Sequence, residues 1–178
     1  TNNSLFWLIA SFNKATQYAY KAKDTLNAIR YYVNKVGAYT YLNNEDSAII
    51  VNNNAAELFR KYGYKRDADI AFGCNYGYYV KRNEKEKAKK AFEAYIRANY
   101  KGNTNYVDSY AFLLYEKGMF YLLMEQNDSA YHYLQNSLMI CKTYGNKAAT
   151  TNGLANYYSK KENYELAAKY ALLSSVYN

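Results

Sequence analysis

The sequence predicts an all-α protein built from consecutive antiparallel helix pairs. None of the 178 residues is proline, whereas proteins average about 5%, and this absence favours long uninterrupted helices. Strand signals are weak, because the single Asn-Gly pair, Asn152-Gly153, has no alternating apolar runs beside it. Apolar residues instead recur at helical spacing, and small residues recur at intervals near 40.

The spacing predicts nine helices. The first follows an apolar stripe from Leu5 to Ala19, and Asp24 is placed to cap the second. The helices are expected near residues 4–22, 24–42, 45–62, 66–82, 85–100, 105–125, 127–144, 146–160 and 162–177.

The clearest helix pair spans residues 105–144. Leu114, Gly118 and Tyr121 share one face of its first helix, and Asn127-Asp128-Ser129 supplies cap-type residues for the second. Because Gly118 and Ala130 are small, the two helices are expected to cross closely. The sequence therefore predicts a helical hairpin here.

Three other segments repeat this pattern. Alanines of the second helices, at positions 48, 88, 130 and 167, are separated by 40, 42 and 37 residues. Gly63, Gly102 and Gly145 are expected to end the second helices. Asn52-Asn53-Asn54 falls where an apolar residue is expected. The predicted organisation is one domain, 1–178, with an orphan helix at 4–22 and repeats near 24–62, 66–100, 105–144 and 146–177. A chain that begins at Thr1 is expected to be a piece of a longer one.

The hairpin signature resembles the tetratricopeptide repeat family in its long form of about 40 residues. Gly118, Tyr121, Ala130 and Leu134 fall on the Gly, Tyr, Ala and apolar positions of that family. HEAT repeats share the period, but their first helices are commonly kinked at proline. The resemblance implies a right-handed superhelix of stacked hairpins, whose first helices line a concave groove.

The same resemblance implies which residues line that groove. They are the first-helix residues that point away from the Gly/Tyr packing face. In chain order they are Tyr31, Asn34, Ala38, Tyr41, Cys74, Tyr78, Lys81, Phe112, Tyr115, Met119, Leu122, Asn152, Asn156 and Lys160. Rigid tyrosines offer contact area at low entropic cost, and asparagines both donate and accept hydrogen bonds. The groove is therefore expected to hold a protein or peptide rather than a small-molecule substrate.

Residues for catalysis are sparse, so the sequence predicts that the protein is not an enzyme and has no cofactor. The only histidine, His132, is expected to face solvent, and Gly73 and Gly77 resemble helix-crossing positions rather than a phosphate loop. Cys74, Cys141 and His132 are too few for a zinc site of Cys and His alone. Two buried thiols are favoured for the cysteines, with one disulfide as the alternative.

The net charge of +8 leaves a second hypothesis open, a nucleic-acid-binding α-solenoid. The densest basic run, residues 81–90, is interleaved with Glu84 and Glu86 and is typical of a solvated turn. Aromatic residues lie at core-type spacing, which makes nucleic acid the less favoured partner. No apolar run is long enough to span a membrane.

Apolar ends at residues 5–8 and 172–177 give a third hypothesis, a structural spacer that associates with itself. The resemblance also implies the sensory or regulatory part of a bacterial protein. Its compartment stays open between the cytoplasm and the periplasmic side of a membrane-tethered regulator.

Overall fold

The computed structural model describes the backbone of residues 2–100 and 107–178 and the side chains of residues 4–100 and 107–178. These residues form helices and connecting turns and no strand, which confirms the all-α prediction. The chain divides into two compact units, Thr1–Asn99 and Tyr100–Asn178.

The N-terminal unit consists of five helical runs, two of which are interrupted once. Its helices are α1 (Asn2–Lys21), α2 (Thr25–Val33), α3 (Lys35–Tyr41), α4 (Glu45–Lys61), α5 (Lys65–Gly73), α6 (Tyr76–Lys81) and α7 (Lys85–Tyr100). The predicted helix 24–42 is therefore broken at Asn34, and the predicted helix 66–82 is broken at Cys74-Asn75. The other predicted helices of this unit agree with the observed ones within two residues.

Four turns of the N-terminal unit have the same three-residue geometry. Their middle residues are Lys23, Asn43, Gly63 and Asn83, 20 residues apart, and all have positive φ between 52° and 82°. Each donates its N–H to a carbonyl three residues earlier, and the next residue donates to a carbonyl five residues earlier. This hydrogen-bond pattern is the Schellman motif. It ends one helix and places the N-cap of the next.

The residue four positions after each N-cap is an alanine. Ala28, Ala48, Ala68 and Ala88 each donate an N–H to the carbonyl of the preceding N-cap residue, and none is more than 1% exposed. A side chain without atoms beyond Cβ fits where the following helix begins so close to the end of the preceding one. The N-terminal unit is therefore built on a 20-residue interval that is half of the predicted repeat.

Aliphatic and aromatic side chains from α2, α4 and α5 form the core of this unit. Its fully buried members are Ile29, Ala55, Ala56, Phe59, Ala68 and Ala71. On the other side of α5, Gly73 lies against the backbone of Tyr95 in α7, so that an added Cβ would come within 2.8 Å of it. Arg97 of α7 reaches back to Asp69 with two bonds of 2.7 and 2.9 Å.

The C-terminal unit contains two helical hairpins in its described part. They are α8 (Val107–Leu123) with α9 (Asn127–Ile140), and α10 (Tyr144–Lys160) with α11 (Tyr164–Tyr177). Schellman turns at Glu125 and Glu162 close both hairpins. The connection from α9 to α10 differs, because the Asp108 carboxylate accepts the N–H groups of Lys142 and Thr143 at 2.8 and 3.1 Å.

The predicted close crossing of α8 and α9 is confirmed. A Cβ on Gly118 would lie 2.6 Å from Cγ of Leu134. Gly37 and Gly77 have open space in that direction, so neither marks a crossing. Gly145 lies inside α10 and ends no helix, while Gly102 lies outside the described residues. The single domain and the superhelix stay predictions.

Candidate partner-binding surface

One pocket of about 410 Å³ lies on the N-terminal unit, between α2 and α5. Three predicted groove residues line it: Tyr31, Asn34 and Cys74. Its remaining lining residues are Asn27, Arg30, Val33, Phe59, Asp67, Ile70 and Ala71.

The two walls of the pocket come from equivalent faces of two helices. Residues 27, 30, 31 and 34 follow helical spacing on α2, and residues 67, 70, 71 and 74 lie 40 positions later on α5. Phe59 of α4, only 3% exposed, adds an aromatic surface from the core. The two walls of the pocket are therefore related by the 40-residue interval.

Polar and apolar groups are both present around the pocket. Arg30 and Asp67 form an ion pair of 3.2 Å from opposite walls, with side chains 52% and 30% exposed. Because both charges stay in contact with water, the pair contributes little to stability. The side-chain amide of Asn34 is exposed and can bond to a ligand backbone, whereas Nδ2 of Asn27 already donates to Oδ2 of Asp24 at 2.8 Å.

Both interruptions of the helical runs occur at pocket residues. Asn34 ends α2, and Cys74 ends α5 at the equivalent position. The residue after each is buried and polar. Lys35 donates to Oδ1 of Asn13 at 3.0 Å, and Asn75 donates to Oδ1 of Asn53 at 2.9 Å. These equivalent hydrogen bonds hold the two interruptions in place and so position Asn34 and Cys74.

Cys74 is the chemically distinctive residue of the pocket. Both cysteines are free thiols, Cys74 being exposed and Cys141 buried. The expectation of two buried cysteines is therefore wrong for Cys74, because its position on α5 faces the pocket. Partial burial of the sulfur raises the pKa of the Cys74 thiol, so that it reacts slowly as a nucleophile at neutral pH.

The other predicted groove residues of the N-terminal unit lie outside this pocket. Tyr78 and Thr40 share a hydrogen bond of 2.7 Å between their hydroxyl groups. Lys81 donates to Glu45 at 2.6 Å, and this hydrogen bond is the main reason that the pKa of Lys81 is raised. Tyr41 is 83% exposed.

In the C-terminal unit, several predicted groove residues make contacts within α8 or between α8 and α10. The rings of Phe112 and Tyr115 lie 5.5 Å apart. Tyr115 and Met119 pack near Gly153, and burial raises the pKa of Tyr115. Lys160 donates to the carbonyl of Leu122 at 3.0 Å and so caps α8. Two further groove residues of this unit are exposed: Asn152 and Asn156. A binding role for this set stays a prediction.

Other candidate chemistry is limited in the described part of the chain. His132 is exposed, as predicted, and its Nε2 lies 3.0 Å from Nδ2 of Asn136. No group of three His, Cys, Asp or Glu side chains among the described residues is arranged to hold a metal ion. None of the described helices combines the length and apolar character needed to cross a bilayer.

The basic run 81–90 is partly neutralised by acidic neighbours. Arg82 pairs with Asp46 at 2.7 Å, and Lys87 pairs with Glu84. With Lys81 bound to Glu45, half of its six cations lie beside carboxylates. This pairing reduces the field that the run offers to a phosphate backbone.

The chain matches no protein-family model, no curated protein and no solved structure. The described residues define an all-helical protein whose helices pack against their neighbours.

Sequence reasoning missed seven of the ten residues that line the pocket. Asn27, Arg30 and Asp67 are not among the predicted groove residues, because those positions follow from the resemblance alone. The interval of 40 residues between Tyr31 and Ala71, and between Asn34 and Cys74, is visible in the sequence. Extending it to Asn27 and Asp67 would have found both walls.

Proposed function

We propose that this protein is a non-enzymatic protein-interaction module of the tetratricopeptide type, with its hairpins stacked as a superhelix. A peptide segment of a partner protein binds at the pocket between α2 and α5. By the same resemblance, the module serves a sensory or regulatory protein of bacteria.

The composition of the pocket is the observation that supports this proposal. Val33, Phe59, Ile70 and Ala71 offer an apolar interior, and the volume of about 410 Å³ lies within the range of about 300–1,000 Å³ of small-ligand pockets. An apolar side chain of the peptide enters this interior, because its burial removes apolar surface from water.

The rim supplies polar contacts that suit a peptide backbone. Asn34 carries a donor and an acceptor, so it can pair with a peptide N–H or C=O, and Oδ1 of Asn27 can accept a peptide N–H. Tyr31, 39% exposed, adds a rigid aromatic surface of the kind enriched in protein-binding sites. The Arg30–Asp67 pair presents charges of both signs, which favours a mixed peptide over a polyanion.

The test uses peptides selected from a random displayed library on the immobilised chain. Cys74→Trp places a bulky ring at the pocket wall, and we expect it to weaken each selected peptide at least about tenfold. Tyr18→Ala removes an exposed tyrosine (68%) that lies outside the pocket and outside the predicted groove, and it should leave the affinity unchanged. Fluorescence anisotropy of the labelled peptides measures both affinities.

Cys74 also provides a reporter of occupancy. With N-ethylmaleimide at pH 8, Cys74 should react faster than Cys141, whose residue is only 6% exposed, and bound peptide should slow the reaction at Cys74 alone. Peptides that bind Cys74→Trp as tightly as the original chain, and that leave the alkylation rate unchanged, would show that the pocket is not the binding site.

A further inference from the structure

The net positive charge of the chain is concentrated in its N-terminal unit. Residues 1–99 contain 16 lysines and arginines but nine aspartates and glutamates. This unit therefore accounts for +7 of the net charge of +8. Where these charges lie within the unit decides which partner they can bind.

Successive turns of this unit alternate between its two ends. α1 packs on α2, α3 on α4 and α4 on α5, and a short Schellman turn joins each pair, so the chain reverses its direction at every turn. The turns at Lys23 and Gly63 therefore lie at one end of the unit, and the turns at Asn43 and Asn83 lie at the other. Ion pairs between residues 45–46 and 81–82 confirm the second grouping.

The Asn43–Asn83 end, residues 40–47 and 80–87, has no net charge. It contains four cations and four carboxylates, and Lys81 and Arg82 pair with Glu45 and Asp46 across the two turns. An anionic partner gains little here, because these cations already lie beside carboxylates.

The Lys23–Gly63 end, residues 20–27 and 60–67, is strongly basic. It contains six cations and two carboxylates in the same length of chain. Both carboxylates already have partners, because Asp24 accepts two hydrogen bonds from Asn27 and Asp67 pairs with Arg30. Among the described residues, no ion pair includes any of the six cations. All six are exposed: Lys21, Lys23, Arg60, Lys61, Lys65 and Arg66.

Two tyrosine rings lie among these cations. Tyr20 and Tyr62 are 41% and 46% exposed, and the ammonium of Lys61 is 5.8 Å from the centre of the Tyr62 ring. Burial and then the neighbouring Tyr62 raise the pKa of Tyr20, which indicates that the two hydroxyl groups are near each other. This end therefore combines exposed aromatic surface with free positive charge.

These features distinguish between the anionic partners that such an end can bind. A lysine cluster holds a membrane surface firmly only together with an inserted apolar group, but Leu26, the only large aliphatic residue of the two segments, packs against the core. A duplex keeps its bases stacked on one another, whereas the bases of a single strand can stack on tyrosine rings. Exposed lysines beside exposed aromatic rings fit single-stranded nucleic acid best.

We propose that the Lys23–Gly63 end binds single-stranded nucleic acid. Its lysines and arginines neutralise phosphates, and unpaired bases stack on Tyr20 and Tyr62. None of these cations and tyrosines lines the pocket between α2 and α5, so this binding does not depend on the proposed peptide site.

The probe is a fluorescein-labelled strand of about 20 deoxythymidines, and fluorescence anisotropy measures its affinity for the full chain. We expect about four phosphate contacts, which give a slope of log affinity against log salt of about −3 and a fall of about fiftyfold between about 50 and 200 mM salt. A duplex of the same length should bind at least about fivefold more weakly, because it offers no bases for stacking.

Matched charge variants test the location. Lys21→Gln with Lys61→Gln removes two cations from this end, and it should lower the affinity at least about tenfold and the magnitude of the slope by about 1.4. Lys89→Gln with Lys90→Gln removes the same charge from exposed positions of α7. This second pair should leave the slope unchanged, because salt screens charges that do not contact the strand.

Tyr62 tests the stacking. Tyr62→Phe keeps the ring and should leave the affinity for the strand unchanged. Tyr62→Leu removes the ring and should weaken binding at least about fivefold. Circular dichroism confirms that each variant is folded, as expected for changes at exposed side chains.

Equal losses of affinity in the two charge variants, or equal affinities of Tyr62→Phe and Tyr62→Leu, would overturn the proposal. A chain that sediments with vesicles containing phosphatidylserine, but does not bind the strand, would also overturn it, since this end would then recognise lipid.

Discussion

Gly118 and Gly77 are both helical glycines, but their surroundings are opposite. A Cβ on Gly118 would overlap Leu134, whereas a Cβ on Gly77 would meet nothing within 4 Å. We expect Gly118→Ala to lower the free energy of unfolding by about 1–3 kcal/mol through overpacking. Gly77→Ala should raise it by about 0.5–1 kcal/mol, because alanine loses less backbone entropy in a helix. Urea denaturation measures both changes.

The last hairpin supplies the compensating change for Gly118→Ala. There Ala155 and Ala171 replace the pair Gly118 and Leu134. The double variant Gly118→Ala, Leu134→Ala should therefore relieve the overlap, although it loses the burial of the leucine. If Gly118→Ala proves as harmless as Gly77→Ala, the close crossing of α8 and α9 is not as tight as the structure describes.

Asn52, Asn53 and Asn75 explain the run of asparagines that interrupts the apolar pattern of α4. Nδ2 of Asn52 donates to Oδ1 of Asn75 at 2.8 Å, and Asn75 donates to Asn53 at 2.9 Å. Asn52 and Asn75 are no more than 1% exposed. Because amides can satisfy one another when buried, polar residues here belong to the core. Composition alone could not show this, since the partners are 22 and 23 residues apart.

The turns between helices carry strain that can be removed. Glu162 closes the last hairpin with φ of +57°, a conformation that glycine adopts without the steric cost borne by other residues. We expect Glu162→Gly to raise the free energy of unfolding by about 0.5–1 kcal/mol. Lys161→Gly, one residue earlier at φ of −88°, should lower it. Thermal unfolding followed by circular dichroism distinguishes these effects, and a loss of stability in both variants would contradict the Schellman geometry.

Helix positions could be predicted from the sequence, but the basis of the repeat could not. The predicted small-residue markers included Gly37, Gly77 and Gly145, which contact nothing at their Cβ positions. The better marker in the N-terminal unit is the alanine four positions after each N-cap, such as Ala28 or Ala68. The left-handed positions of these turns are mostly occupied by residues other than glycine, such as Lys23. Because glycine is the usual signal for such a turn, the sequence does not reveal them.

Only part of the candidate surface could be predicted from the sequence. Tyr31 and Asn34 were assigned to a groove, and both line the pocket. Phe59 was not, since a buried residue of a second helix has no distinguishing pattern in the sequence. The contacts of Tyr115 and Lys160 depend on how neighbouring helices pack, and single-helix periodicity contains no information on that packing.

At the scale of the whole molecule, the 25 tyrosines link stability to alkaline pH. Burial, followed by hydrogen bonding with Tyr131, raises the pKa of Tyr158. Burial also raises the pKa values of Tyr20, Tyr115 and Tyr157. These groups lose their protons more readily in the unfolded chain, so the stability they contribute is complete below pH 10 and is lost as pH rises further.

The ionisation of Lys35 changes the stability with pH in the opposite direction, but Lys35 is a single group. Its ammonium lies 4.0 Å from the centre of the Tyr32 ring, and burial lowers its pKa. The unfolded chain therefore holds this proton more tightly, and the stability rises as pH increases from the folded pKa of Lys35 toward about 10.5. Four tyrosines with raised pKa values outweigh it above pH 10.

We therefore expect the urea midpoint to change little between pH 7 and 9 and to fall steeply above pH 10. Tyr158→Phe keeps the aromatic ring but removes the ionisable hydroxyl, so it should make the alkaline fall less steep. Tyr164, with a side chain 68% exposed, supplies the control, and Tyr164→Phe should leave the slope unchanged. The absorbance of tyrosinate at 295 nm should lag in the folded chain relative to the chain in urea, because the unfolded tyrosines ionise first. Equal slopes for the two phenylalanine variants would mean that Tyr158 does not couple ionisation to unfolding.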